Sequence, residues 1–226
     1  MNSSQFNKIL VVKHGSLGDI AFSILAMASI KQFFNNATID LLTEEKYVNF
    51  LSNSSYFNSI FKDNRKGLID SLKVILKINQ NKYDLIIDLQ NSKRTNNYWS
   101  FLKFISEVKV NGSRSNCDIQ YVIPPQGTES PQQGLYNQLK LLGVNEINQN
   151  VDWLSRDITA INEDKIILMI PGVSKSGKDK QWSPDKFAIL ASTLEKKGYH
   201  ICVIGQKSDK QTVETINNAC QKVIDL

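Results

Sequence analysis

Short apolar runs alternate with longer amphipathic stretches along most of the chain. KILVVK at Lys8–Lys13, TIDLL at Thr38–Leu42, SIFK at Ser59–Lys62, YDLIIDL at Tyr83–Leu89 and the brief run Val108–Val110 read as strands. Between them, helical spacing of apolar residues predicts helices over Asp19–Phe34, Glu44–Ser52, Lys66–Ile78, Ser92–Ile105 and Gln132–Leu142. Strands interleaved with helices of this length imply βαβ units and a parallel sheet. ILVV and LIID are almost continuously apolar, as strands covered on both faces must be.

The pattern breaks after Leu142. NEINQNVDWLSRDITAINED is polar, rich in Asn and without period, and reads as a linker over residues 143–163. A second βαβ pattern then starts. It comprises a strand at Lys165–Ile170, a helix at Pro184–Lys197, a strand at His200–Ile204, a helix at Asp209–Cys220 and a third strand at Lys222–Leu226. The expected organisation is an N-terminal Rossmann-like domain (1–142), the linker, and a partial Rossmann-like domain (164–226) that looks cut off in mid-sheet.

Composition narrows the function classes. The chain has 226 residues, 41% hydrophobic and 22% charged, an ordinary globular profile. No apolar run approaches the roughly 18 to 20 residues that span a bilayer. MNSSQFNK has no signal-peptide core, so the expected location is the cytoplasm. The cysteines, Cys117, Cys202 and Cys220, form no CxxC pair, and His14 and His200 are far apart. Free thiols and no metal site are expected. The net charge of +5 favours anionic partners, but no Lys/Arg block of the nucleic-acid-binding kind occurs.

Two loops carry the candidate chemistry. HGSLGDI, at His14–Ile20, joins the first strand to the first helix. It resembles a phosphate cradle, but the first glycine of G-x-G-x-x-G is missing, and no acidic residue ends the second strand where a ribose would be held. Asp19 also places its own charge where a helix N-terminus would attract an anion. Two readings of Asp19 stay open. It is a capping residue of the helix, or it is a catalytic base kept ionised by the helix dipole, with Gly15, Ser16 and Gly18 leaving room for a substrate hydroxyl.

The second loop is PGVSKSGKDKQWSPDKF, after the strand Lys165–Ile170. Gly172, Gly177 and Lys178 match G-x-x-x-x-G-K, but Asp179 stands where a P-loop needs Ser or Thr, and Ser183-Pro184 starts the helix too late. What remains is a lysine-rich loop with hydroxyls just before a helix. That composition suits a diphosphate and equally suits a solvated surface loop.

Taken together, KILVVKHGSLGDIAFSILAMASIKQFF, YDLIIDLQNSKR and IPGVSKSGKDKQWSPDKFAILASTLEKKGYHICVIG resemble glycosyltransferase family 9, the heptosyltransferases of lipopolysaccharide core synthesis. The likeness runs from about Lys8 to Leu226. It implies a GT-B fold, two Rossmann-like domains, the second truncated. It implies that Asp19 matches the family's catalytic base, and that Lys180 matches a lysine contacting the donor's phosphates, with Ser174, Lys175 and Ser176 beside the diphosphate. Gln90, Lys93 and Arg94 match the acceptor-facing strand end, together with Gly15, Ser16 and Gly18.

The implied substrates are a nucleotide-sugar donor, ADP-heptose, and a lipid-anchored anionic saccharide acceptor. The enzyme would touch the inner membrane's cytoplasmic face transiently and use neither cofactor nor metal. The chain departs from the family in having Gly15 for Ser or Thr, Leu25 for proline, and no Asp-Thr/Ser-Gly…His motif for the donor. A non-catalytic binding or scaffold protein that keeps only the acceptor domain is the alternative. Whether the reading frame continues past Leu226 discriminates the two.

Overall fold

The computed structural model describes residues 3–155, 165–173, 175–220 and 223–225. Two compact units divide between Ser155 and Arg156. The first runs β1 (Lys8–Val12), α1 (Leu17–Phe33), β2 (Thr38–Thr43), α2 (Glu45–Leu51), β3 (Ser59–Lys62), α3 (Gly67–Asn81), β4 (Leu85–Asp88), α4 (Lys93–Leu102), β5 (Lys109–Gly112), β6 (Ile119–Gln120) and α5 (Pro131–Lys140).

Its sheet has the order β3-β2-β1-β4-β5-β6, and every pair is parallel. The central strand explains the apolar run at its sequence position. Ile9 and Val11 join a core with α1 and α5, whereas Leu10 and Val12 join a second core with α3 and α4. β4 divides likewise, Leu85 and Ile87 to one side and Ile86 to the other. Chain direction reverses its lateral progress between β1 and β4, so the sheet's switch point lies at their carboxyl ends.

The segment read as a linker does not begin at Gly143. Val144 is buried in the first core. The Asn148 N–H donates to Ser29 Oγ (2.9 Å), and Trp153 donates its indole N–H to the Tyr56 hydroxyl (2.9 Å). The Trp153 ring also lies 5.2 Å from that of Phe50. A few anchors thus attach residues 143–155 to the first unit although their composition is polar and aperiodic. The rest of the expected linker, 156–164, lies outside the described residues.

The second unit contains β7 (Ile166–Met169), α6 (Pro184–Lys196), β8 (His200–Val203), α7 (Lys210–Ala219) and β9 (Val223–Asp225). Its sheet is parallel, in the order β7-β8-β9. Met169, Ala191, Ile201, Val203 and Ile216 form its core.

Candidate active site

The loop between β1 and α1 emerges at the switch point. Ser16 is the N-cap of α1, and Asp19 is its third residue. Asp19 Oδ2 accepts the Ser16 N–H (2.7 Å) and the Ser16 hydroxyl (2.8 Å), while the Asp19 N–H donates to Ser16 Oγ (3.3 Å). This reciprocal box satisfies donors that the helix end leaves open. The capping role of Asp19 is therefore real, and it employs one carboxylate oxygen. Among the described residues Oδ1 has no hydrogen-bond partner, and the residue is exposed.

The N–H and hydroxyl of Ser16 hold the Asp19 carboxyl below its usual pKa, with help from the Lys13 ammonium and against partial burial. Asp19 is an anion at neutral pH. Gly15 makes this arrangement possible. Its φ is +116°, and a Cβ there would stand 2.6 Å from Asp19 Oδ2. A side chain at this position would meet both backbone strain and the carboxylate. Gly18 has no such constraint, because its nearest neighbour would be Ser16 Oγ at 3.7 Å.

Neighbouring strand ends pin the loop. Lys13, buried, donates to the Leu89 carbonyl (3.2 Å). Burial pulls its ammonium pKa down, against the charges of Asp19 and Asp88. The His14 N–H donates to Gln90 Oε1 (3.0 Å), the Gly15 N–H to Glu44 Oε1 (3.1 Å), and the Tyr47 hydroxyl to the Gly15 carbonyl (3.0 Å). The His14 ring is buried, with Nε2 3.4 Å from Asp63 Oδ2. Burial drives its pKa down to about 4, opposed by Asp63, so the ring is neutral at physiological pH. Burial raises the pKa of Glu44, but the Gly15 N–H and the Lys46 and Arg65 donors outweigh it and leave the carboxyl below its ordinary value.

The β4 end adds the acceptor-side residues expected from the sequence. Asp88 is fully buried. Its oxygens accept the Gln90 and Asn91 N–H groups (both 2.9 Å) and the Trp99 indole (2.7 Å). Gln90 thereby turns its side chain to the His14 backbone. The Arg94 guanidinium faces inward, bonded to the Tyr98 hydroxyl and the Arg65 carbonyl and 3.7 Å from Asp63 Oδ1. Lys93 is exposed and makes no ion pair with the described residues. The structure thus brings Gly15, Ser16, Asp19, Gln90 and Arg94 to one edge of one sheet, with Gln90 and Arg94 acting as supports.

His14, Glu44, Asp63 and Arg65 were missed as members of this cluster. The one signal available was an acidic residue just past each of two strands.

In the second unit, Lys175–Lys180 form a 3₁₀ turn after β7. Lys178 and Lys180 are exposed and make no ion pair with the described residues. Ser174 lies outside the described residues, and only the backbone of Lys175 and Ser176 is described. Ser183 occupies the N-cap position of α6, without a side-chain capping bond, and Pro184 opens its first turn, several residues past the lysine where a P-loop helix would begin. Trp182 packs edge-on against Phe187 at 5.1 Å. At the end of β8, buried Asp209 accepts the Gln206 N–H (2.8 Å), in a space that a Cβ on Gly172 would invade. Among the described residues no cluster of His, Cys, Asp and Glu is fit to hold a metal, and the three cysteines are unpaired.

Residues 130–226 match the model of glycosyltransferase family 9 (heptosyltransferase). The chain is 31% identical over 87 residues to lipopolysaccharide heptosyltransferase 1 of Campylobacter coli, covering 37% of this chain and 25% of that protein. It is 22% identical over 233 residues to lipopolysaccharide heptosyltransferase 3 of Escherichia coli K12, covering 90% of this chain and 65% of the relative.

Among solved structures, the family 9 glycosyltransferase of Veillonella parvula superposes with a TM-score of 0.73 at 18% identity, covering 100% of this chain and 70% of the other. Heptosyltransferase WaaC of E. coli, solved with ADP-2-deoxy-2-fluoro heptose, gives 0.69 at 14% identity, covering 97% and 76%. These likenesses show the GT-B fold. The family-model match starts after the Asp19 loop, so Asp19 stands on its own geometry and on the pattern SLGD. The match to the glycosyltransferase family 9 model covers the C-terminal part of the chain, and the fold likeness extends over nearly all of it.

Proposed function

We propose that this chain belongs to a glycosyltransferase of lipopolysaccharide synthesis, moving a heptose or related sugar from a nucleoside-diphosphate donor to a core saccharide acceptor. The observation that carries the reading is the Asp19 carboxylate. It sits at the switch point of a parallel sheet, ionised, with one oxygen fixed by Ser16 and the other open. A relative of the same fold was solved with ADP-2-deoxy-2-fluoro heptose, which supports a nucleotide-sugar donor.

In this reading an acceptor hydroxyl attacks the anomeric carbon, and its proton passes to Asp19 Oδ1. The bond from that carbon to the diphosphate breaks, and its electron pair leaves on the nucleoside diphosphate. A carboxylate this acidic cannot deprotonate a sugar hydroxyl in advance. Proton transfer is therefore late, alongside formation of the new C–O bond. Lys180, with Lys175 and the hydroxyls of Ser174 and Ser176, stabilises the departing charge electrostatically, so neither cofactor nor metal is required. Lys93, exposed and without an ion pair among the described residues, is an acceptor-side cation, while Gln90 and Arg94 hold the loops. The acceptor's lipid anchor brings the protein to the cytoplasmic face of the inner membrane.

Asp19→Asn is the informative variant, because its amide oxygen can still accept the Ser16 N–H and keep the cap. Turnover with ADP-heptose and a heptose-free core acceptor should fall about 10²-fold with little change in melting temperature. Turnover close to that of the parent would leave Asp19 with the capping role alone and favour the non-catalytic binding alternative.

A further inference from the structure

Helix α3 carries an apolar face that the fold does not use. Val74, Ile75 and Ile78 enter the core of the first unit. Leu68, Ile69, Leu72 and Leu76 instead face outward, with relative exposures of 84%, 70%, 48% and 53%. On a helical wheel these four positions fall within an arc of roughly 100°, beside the buried arc rather than within it.

Lysines border this stripe. Lys73 is exposed and makes no ion pair with the described residues, and Lys77 places its ammonium over the Phe61 ring at 4.0 Å. Residues 65–82 contain Arg65, Lys66, Lys73, Lys77 and Lys82 against the single acid Asp70, whose carboxylate already accepts the Lys66 N–H (3.1 Å). Water-exposed leucines beside uncompensated lysines are a poor match for solvent and a good match for an interface that is apolar below and anionic above. α4 lies on the same face of the sheet and packs against α3. It ends in exposed Phe101, followed by exposed Phe104 and Ile105.

We infer that the outer face of α3 is a docking surface for an anionic lipid bilayer, on which the helix lies parallel to the membrane plane with Leu68, Ile69, Leu72 and Leu76 in the interfacial layer. The inference deepens the proposed function by naming the face that would meet the membrane. α3 starts just past Asp63 and Arg65, which contact His14 and Glu44. A bilayer on this face lies next to the sheet edge that carries Asp19, where a lipid-anchored saccharide would arrive.

The test is co-sedimentation of the full chain with phosphatidylcholine vesicles, with and without phosphatidylglycerol, and without any sugar substrate. Its outcome is then independent of transferase activity. The wild type should sediment with the anionic vesicles, weakly with neutral ones, and be released by salt. Each lysine near an anionic surface contributes about fivefold in partition, so Lys73→Glu with Lys77→Glu should lower binding about twentyfold or more. Leu72→Ser with Leu76→Ser should lower it at least about tenfold. Ile189→Ser on α6, also a loss of an exposed apolar side chain, should leave it unchanged.

Circular dichroism confirms that each variant is folded. Absence of vesicle binding by the wild type, or equal binding by the α3 variants, overturns the inference. So does a dimer in sedimentation equilibrium that Leu72→Ser with Leu76→Ser dissociates, because the occupant is then a second copy. A Leu76→Cys thiol inert to maleimide in vesicle-free buffer also overturns it, because the polypeptide itself then covers the stripe.

Discussion

His14 sits one residue before the glycine that admits Asp19, and its ring is buried beside Asp63. In the unfolded chain it titrates near 6.5, and in the fold it is held to about 4. The stability gained by keeping it neutral is complete above pH 6.5 and is lost as pH falls towards about 4. The expected slope approaches 1.4 kcal/mol per pH unit within that window, at about the limit for one proton. Replacing His14 by Gln should flatten this limb of the urea-unfolding curve, and identical pH profiles for the two proteins would show that another group controls it. At this scale the sequence was half legible. SLGD announced both a cap and a base for Asp19, and the structure displays the cap in full. The supports were hidden, because Glu44 and Asp63 reach the loop from the ends of other strands and no local pattern links them to it.

Among the elements, β4 and α4 form the most tightly coupled pair at the site. Asp88 ends the strand fully buried, and burial raises its pKa against the donors around it. The strongest geometric partner is the Trp99 indole at 2.7 Å. Trp99→Phe keeps most of the apolar volume but leaves a buried carboxylate oxygen short of a donor. The expected cost is about 1 to 3 kcal/mol, read as a shift in urea midpoint. An unshifted midpoint would mean that Thr95 or a water takes over the bond.

Element positions were largely readable, since short, nearly continuous apolar runs alternate with longer amphipathic stretches. β3 falls at the expected residues, Ser59–Lys62, and α6 begins at the expected Pro184. Helix ends were less readable. α4 stops at Leu102 rather than Ile105, and the last residues continue as turns. The two-residue β6, Ile119–Gln120, is too short to carry a period.

For the whole molecule, two parallel sheets were expected and two are present among the described residues, and the divide at Ser155 falls inside the segment 143–163 that composition marked as a linker. Trp153 and Val144 decide that boundary through tertiary contacts, which polar neighbours in sequence conceal. The pinning of the Gly15 loop has a further consequence, in the order of events during folding. Gly15 meets Glu44 across 29 residues, whereas His14 meets Gln90, and Lys13 meets Leu89, across 76. Longer closures cost more entropy before any contact rewards them, so they tend to come later. The β1–β2 pair can assemble while the loop carrying Asp19 is still open, and the loop locks only when β4 docks on the other side of β1. In pulsed hydrogen exchange during refolding, the His14 amide should gain protection together with amides of β4 and after those of β2. Simultaneous protection of His14 and β2 would mean that the edge carrying Asp19 is assembled locally, without waiting for the distant strand.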